Sequence, residues 1–251
     1  MIFLSVIIPA FNEHQNFRAG ALSKVKQYLD QVNYSYEVLL VDDGSSDDTP
    51  SLIKEFCSHD EHFHYYIRPH QGKASAISYG VDKAKGDNVL LTDFDQATPI
   101  GEIEKLLPFL NKGFDIIIGS REVKGARREK EPFYRHLMGK VFNIVVRVFA
   151  LGGIADTQCG FKLLRSEVAK TLFKKLVVYK ANNRKQIKYP FTGAVDVELL
   201  FLANKYHYRI AEVPIYWKHY KTERVSALRD SFKMFVDVLK LRWYALTGRY
   251  E

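Results

Sequence analysis

Short apolar runs alternate with helical patterns through the first half of this chain, and that alternation leaves few folds open. Phe3 to Pro9 is a strand closed by proline, and Ala10 to Glu13 is the turn after it. A helical pattern follows, roughly Asn16 to Val32. Glu37 to Val41 is the next strand; it ends in Asp42-Asp43-Gly44-Ser45-Ser46-Asp47-Asp48-Thr49, which caps a helix over Pro50 to Cys57. His64 to Ile67 is a third strand, and Gly72-Lys73 opens a helix over Ala74 to Ala84. Asn88 to Thr92 and Asp115 to Gly119 are the fourth and fifth strands. Strands that alternate with helices pair in parallel, so the pattern predicts an α/β fold with a doubly wound, mostly parallel sheet. Ligands of such sheets lie beyond the carboxyl ends of the strands. That rule puts Phe11, Glu13, Asp42, Asp43, Asp93 and Asp95 along one rim.

The fourth strand carries the sharpest chemical signal. Val89-Leu90-Leu91 runs into Thr92-Asp93-Phe94-Asp95-Gln96. Two carboxylates two residues apart at a strand end can share one hard cation, and Mg²⁺ or Mn²⁺ keeps coordination positions open for phosphates. The plainer reading is an acidic turn that caps the helix beginning near Gly101. Lys73 sits at a helix start, where a cation opposes the macrodipole, so an anion is expected beside it unless it is simply a solvated lysine. Asp42 and Asp43 could likewise just end a strand, and Phe11 could be core.

The 251 residues suit one large domain, or one and a half, and the formal charge of +8 points to an anionic partner. Two cysteines are too few for a disulfide framework, and Cys159 reads as a small buried thiol. Met1 runs straight into the first strand, so no signal peptide is expected, and no apolar window of about 18 residues predicts a transmembrane helix. His59, His62 and His64 read as a solvated loop rather than a zinc site. Positive charge gathers in two stretches: Lys124, Arg127, Arg128, Lys130, Arg135, Lys140 and Arg147, then Lys174, Lys175, Lys180, Arg184, Lys185 and Lys188. A charge run is usually a solvated face. The second is interleaved with Tyr179, Ile187, Tyr189 and Phe191; no nucleic-acid fold motif accompanies it, and an anionic membrane surface accounts for it better. Ser226 to Leu246 has the spacing of an amphipathic helix that either packs on the domain or lies in a membrane interface. Asp196 could be the N-cap of a helix running to Asn204.

The segments SVIIPAFNE, LLVDDGSSDDT, QGKASAISYG, LLTDFDQAT and DIIIGSR, in this order, resemble a family 2 glycosyltransferase of the GT-A fold. The later segments DTQCGFKLLRSE, AVDVELLFLA and LRWYALTGRY resemble dolichyl-phosphate β-glucosyltransferases. The chain departs from related enzymes in having Phe94 between the aspartates and Gln96 directly after Asp95, and the N-terminal anchor helix that such relatives often carry is not expected here. The resemblance implies an inverting hexosyltransferase moving glucose from UDP-glucose, or in the alternative mannose from GDP-mannose, onto a polyprenyl (dolichyl or undecaprenyl) phosphate. A different class, a membrane-associated nucleotide-sugar-binding protein without turnover, is the further alternative. On the transferase reading, Pro9, Phe11, Glu13, Asp42, Asp43, Lys73 and Asp93 hold the nucleotide sugar. Asp93, Asp95 and Asp156 form the catalytic set, and Asp95, Asp93 and Gln96 hold a divalent cation, Mg²⁺ or Mn²⁺. Arg121 and Arg135 take the acceptor phosphate, with Arg127 and Arg128 left as membrane contacts. Asp196 and Glu198 lie near the acceptor. Residues 1–120 are then the nucleotide-sugar half of the GT-A domain, 121–220 the acceptor half, and 221–251 an amphipathic, interfacial helix. The expected setting is peripheral, on the cytoplasmic face of a membrane, with a membrane-protein partner worth asking about.

Overall fold

The computed structural model describes residues 1–129, 153–179, 194–218 and 227–250. Its centre is a seven-stranded sheet in the order β3-β2-β1-β4-β7-β5-β8. The strands are β1 (Leu4–Ala10), β2 (Tyr36–Asp42), β3 (Phe63–Ile67), β4 (Asn88–Leu91), β5 (Ile116–Ser120), β7 (Lys162–Arg165) and β8 (Ile210–Pro214). β1 and β2 are buried over almost their whole length, because helices cover both faces; hence their unbroken apolar runs. A separate parallel ribbon joins β6 (Arg127–Glu129) to β9 (Tyr216–Lys218).

Register brings the site residues to one height. Ala10 pairs with Asp42 across β1 and β2, and Ile7 pairs with Leu91 across β1 and β4. The turns after Ala10, Asp42 and Leu91 therefore leave the sheet at the same rim. β7 is the exception to the parallel pattern. It runs antiparallel between β4 and β5, with Lys162 opposite both Leu91 and Ile118. Reversal puts the beginning of β7, not its end, at the rim where the parallel strands finish.

The helices are α1 (His14–Arg18), α2 (Ala21–Leu29), α3 (Thr49–Ser58), α4 (Lys73–Lys83), α5 (Ile103–Asn111), α6 (Ser166–Lys174), α7 (Val195–Lys205) and α8 (Ala227–Leu246). The single helix expected over residues 16–32 is two helices. Gly20, at φ +76°, turns the chain left-handed between them, a conformation in which a Cβ would be strained. Ala194, not Asp196, is the N-cap of α7; Asp196 sits in the first turn. Among the described residues no helix is long and apolar enough to cross a membrane.

Helix α8 is tied down at buried polar points. Tyr179 donates its hydroxyl to Asp237 on α8 and accepts the backbone N–H of Ala194 at 2.5 Å. Glu198 on α7 accepts the N–H groups of Val177, Val178 and Tyr179 at 2.7, 2.8 and 3.0 Å, and the Tyr250 hydroxyl at 2.7 Å. Glu198 is thus a structural anchor, its carboxyl pushed upward by burial against the pull of these donors. Val238 and Leu241 of α8 are buried, whereas Leu239, Trp243 and Leu246 stand exposed at i, i+4 and i+7 along one face, Trp243 by 63%.

Candidate active site

Three loops at the rim are held by carboxylates. Asp42 accepts the N–H groups of Gly44 and Ser45 at 3.2 and 3.1 Å and the Ser45 hydroxyl. Asp43 accepts Gln71 N–H at 2.9 Å, Gly72 N–H at 2.8 Å and, from the side, His70 Nδ1 at 2.7 Å. Both are buried, and burial holds both carboxyls above their usual range despite these donors. Gly44, at φ +76°, is required here: a Cβ would come within 2.8 Å of His70 N. The first loop joins the second through Asn12, whose N–H reaches Ser45 Oγ at 2.8 Å and whose side-chain oxygen accepts Ser46 N–H at 2.8 Å. Phe11 stacks flat on His70, with centroids 4.2 Å apart and planes 12° apart, and His70 Nε2 is buried without a hydrogen-bond partner. Pro9 stays within β1, opposite Val41.

The anion expected beside Lys73 is Asp93. Lys73 Nζ donates to Asp93 Oδ1 at 2.5 Å. Burial alone would raise the Asp93 carboxyl; Lys73, then Lys162 and Arg121, bring it below its usual range. Asp95 goes the other way. Burial and then the charge of Asp93, with Glu13 adding to it, push it up to about 6, although one oxygen takes Ala97 N–H at 2.9 Å. Gln96 adopts φ +51°, turns its amide nitrogen to Asp93 O at 2.8 Å, and leaves Oε1 buried with no partner. Asp93 already carries Lys73, whereas the Asp95 carboxylate and the orphaned Gln96 oxygen are hard donors with no cationic partner of their own among the described residues. Asp93, Asp95 and Gln96 therefore fit a divalent cation such as Mg²⁺ or Mn²⁺.

Two strands further along, past β7, Arg121 follows β5 and forks onto Asp156, Nε to Oδ2 at 2.7 Å and Nη2 to Oδ1 at 2.9 Å; its backbone N–H adds 2.9 Å to Oδ2. Glu212 on β8 fixes the Asp156 turn by accepting Ala155 N–H at 2.7 Å and Asp156 N–H at 2.9 Å. Asp156 is fully buried; burial would raise its carboxyl, but Arg121 overrides this and holds it at about 2. Arg128 pairs with Glu122 at 2.5 Å. Arg135 lies outside the described residues.

Sequence reasoning passed over three groups. Gly160 packs on Asp93 so closely that a Cβ would lie 2.5 Å from Oδ2. Lys162 is fully buried, with its ammonium on Cys159 O and on Asp196 Oδ1. His70 links Asp43 to Phe11. Cys159 is core as expected, its thiol raised to about 11 chiefly by burial.

Solved structures share this fold. The chain superposes on mannosyl-3-phosphoglycerate synthase from Rubrobacter xylanophilus with a TM-score of 0.67 at 19% identity, covering 99% of this chain and 76% of the other. On glucosyl-3-phosphoglycerate synthase from Mycobacterium tuberculosis, solved with Mn²⁺, uridine diphosphate and phosphoglyceric acid, the TM-score is 0.63 at 17% identity, over 96% and 78%. These likenesses define the fold as GT-A. The glycosyl transferase family 2 model matches residues 5–173. Dolichyl-phosphate beta-glucosyltransferases align along nearly the whole chain: the human protein is 30% identical over 99% of this chain and 77% of its own length. The Dictyostelium discoideum protein is 29% identical over 100% and 77%. The chain belongs to glycosyl transferase family 2, and its activity is glycosyl transfer.

Proposed function

We propose that this protein transfers glucose from UDP-glucose to a polyprenyl phosphate, with inversion, giving a β-linked lipid-phosphate sugar. The observation that carries the reading is the spacing of two charged groups on one rim. The oxygen set Asp93, Asp95 and Gln96 follows β4, the Arg121–Asp156 fork follows β5, and only β7 stands between them. Two strand spacings are about 10 Å, room for a hexose with a phosphate on either side. The names of the relatives support the sugar and the lipid.

On this reading Asp42, Asp43 and the Phe11–His70 stack shape the nucleotide end of the cleft, with Pro9 near the end of β1 and Glu13 in the loop that follows it. Lys73 and Asp93 border the diphosphate and sugar. A divalent cation held by Asp95, Asp93 and Gln96 supplies positive charge for the departing nucleotide diphosphate. The acceptor needs no strong general base, because a phosphate monoester has its second pKa near 6 and is already a nucleophile at neutral pH. Its oxygen forms the new bond to the sugar's anomeric carbon as the bond to the diphosphate breaks, on opposite faces. Arg121, with Arg135, aligns the acceptor phosphate; Asp156 fixes the aim of the Arg121 fork, a positional contribution to rate. Residues 1–120 then serve the donor and 121–220 the acceptor. The exposed Leu239, Trp243 and Leu246 face of α8 suits an anionic membrane surface, with the protein peripheral on the cytoplasmic face.

The test is transfer itself. The purified protein is incubated with Mn²⁺ or Mg²⁺, a short polyprenyl phosphate and, separately, UDP-glucose, UDP-galactose, UDP-GlcNAc or GDP-mannose, and lipid products are weighed by mass spectrometry. Product from UDP-glucose alone, lost with EDTA and in Asp95→Ala, is expected. Product from GDP-mannose alone would overturn the donor, and tight nucleotide binding without any lipid product would overturn the acceptor.

A further inference from the structure

One fully buried charge at the rim, Lys162, has no part in the transfer scheme above. Lys162 is 0% exposed, yet it carries an ammonium. Such a group persists in a protein interior only when it is paired and hydrogen-bonded. Its partners are the carbonyl of Cys159 and Asp196 Oδ1, the latter at 2.5 Å. The two come from distant parts of the chain: Lys162 opens β7 at the rim, and Asp196 lies in the first turn of α7.

Asp196 differs from the other carboxylates there. Asp42 and Asp43 are consumed by their own loops, and Asp156 by Arg121. The Asp196 side chain is 19% exposed and one oxygen is fixed by Lys162; among the described residues the other takes no protein donor. Asp196 also lies close enough to Lys73 for its charge to act on that ammonium, directly after Asp93. Gly160 brings the backbone of the β7 turn against Asp93, so no side chain fills the space there. Asp93 and Asp196 thus both act on the Lys73 charge, and Lys162 holds Asp196 in place.

We infer that Asp196, aimed by Lys162, accepts hydrogen bonds from hydroxyls of the donor hexose and sets which hexose the enzyme takes. The inference rests on the donor reading above. A carboxylate accepts from two hydroxyls at once, which suits a vicinal diol whose arrangement distinguishes one hexose from its epimer. A site built to bond a hydroxyl discriminates far more strongly than one that only fits a shape. Lys162 is a positioning residue in this scheme and touches no substrate.

The experiment is calorimetry on full-length wild type, Asp196→Asn, Lys162→Met and the double variant, each with Mn²⁺ and UDP, UDP-glucose or UDP-galactose. Unsugared UDP reports the nucleotide half alone and serves as the folding control. In Asp196→Asn, UDP affinity is expected to stay at the wild-type value, UDP-glucose affinity to fall at least about tenfold, and the preference for glucose over galactose to collapse. The double variant is expected to lose no more than the worse single variant, since Lys162 acts through Asp196. An unchanged glucose-to-galactose ratio in Asp196→Asn, equal losses for UDP and UDP-glucose, or additive losses in the double variant would overturn the inference while leaving the donor reading intact. Wild-type protein that binds UDP but gains nothing from the glucose would overturn the donor reading, and this inference with it.

Discussion

Replacing Asp156 by Asn keeps the shape of the side chain and removes its charge, so it isolates what the Arg121 fork contributes. The folded carboxyl sits at about 2, against 3.8 when free. At neutral pH that difference is worth about 2 kcal/mol of folding free energy. The variant also turns an amide nitrogen toward the guanidinium and leaves a buried donor poorly paired, so the total loss is expected at about 2–4 kcal/mol. For a chain of this length that lowers the melting temperature by about 5–15 °C. The sign with pH follows from a depressed carboxylate. Its contribution is fully present above about pH 4, where the unfolded carboxyl is also ionised, and fades as pH falls toward 2, where the folded carboxyl takes up its proton. Urea titrations of wild type and variant at pH 7 and pH 3 should show the gap between them shrinking by about 1 kcal/mol, roughly half of its charge-dependent part. A variant within about 0.5 kcal/mol of wild type at pH 7 would refute the argument. So would a gap that stays constant down to pH 3. Turnover should fall in the same variant, because Arg121 loses the partner that aims it.

Gly160→Ala places a methyl group 2.5 Å from Asp93 Oδ2; the displaced carboxylate is expected to weaken Mn²⁺-dependent UDP binding at least about tenfold, read by calorimetry on protein shown to be folded. Gln96→Gly removes the orphaned Oε1 but relieves a backbone held at φ +51°, so cation affinity should fall roughly tenfold while the melting temperature holds or rises. A parallel fall in both would mean that Gln96 is structural. Tyr250→Phe removes one of the donors on buried Glu198 and should cost about 1–3 kcal/mol in urea titration, with UDP affinity unchanged.

The strands and turns of the first half were legible because their signals are local: β1, β2 and β4 are apolar runs closed by polar turns, and the rim follows from their parallel register. The Asp93–Asp95 pair stands out from two positions alone, and its charges do act on one another. Lys162, by contrast, looks like a surface lysine in sequence; its one ion-pair partner among the described residues, Asp196, lies 34 residues away and, with the Cys159 carbonyl, makes its burial tolerable. His70 needed Asp43, 27 residues back, to stand out. Lys73 was correctly read as wanting an anion, but the anion is the chain's own Asp93, which helix polarity cannot foresee. The break at Gly20 was missed because apolar spacing continues across it, although the glycine itself was the available signal.

The reversed strand β7 has a consequence for how the sheet is assembled. β5 has no pairing with β4, its predecessor in the chain; its neighbours are β7 and β8, which come later. The block β3-β2-β1-β4 can close from residues in chain order, whereas β5 must wait for the segment around residue 162 to return. That wait is a loop-closure cost, and long-range closures of this kind slow folding. During synthesis β4 therefore emerges with an unpaired edge beside Asp93 and Asp95, open to wrong partners until β7 arrives. The strand that later delivers Lys162 to the site is also the one whose arrival completes the sheet.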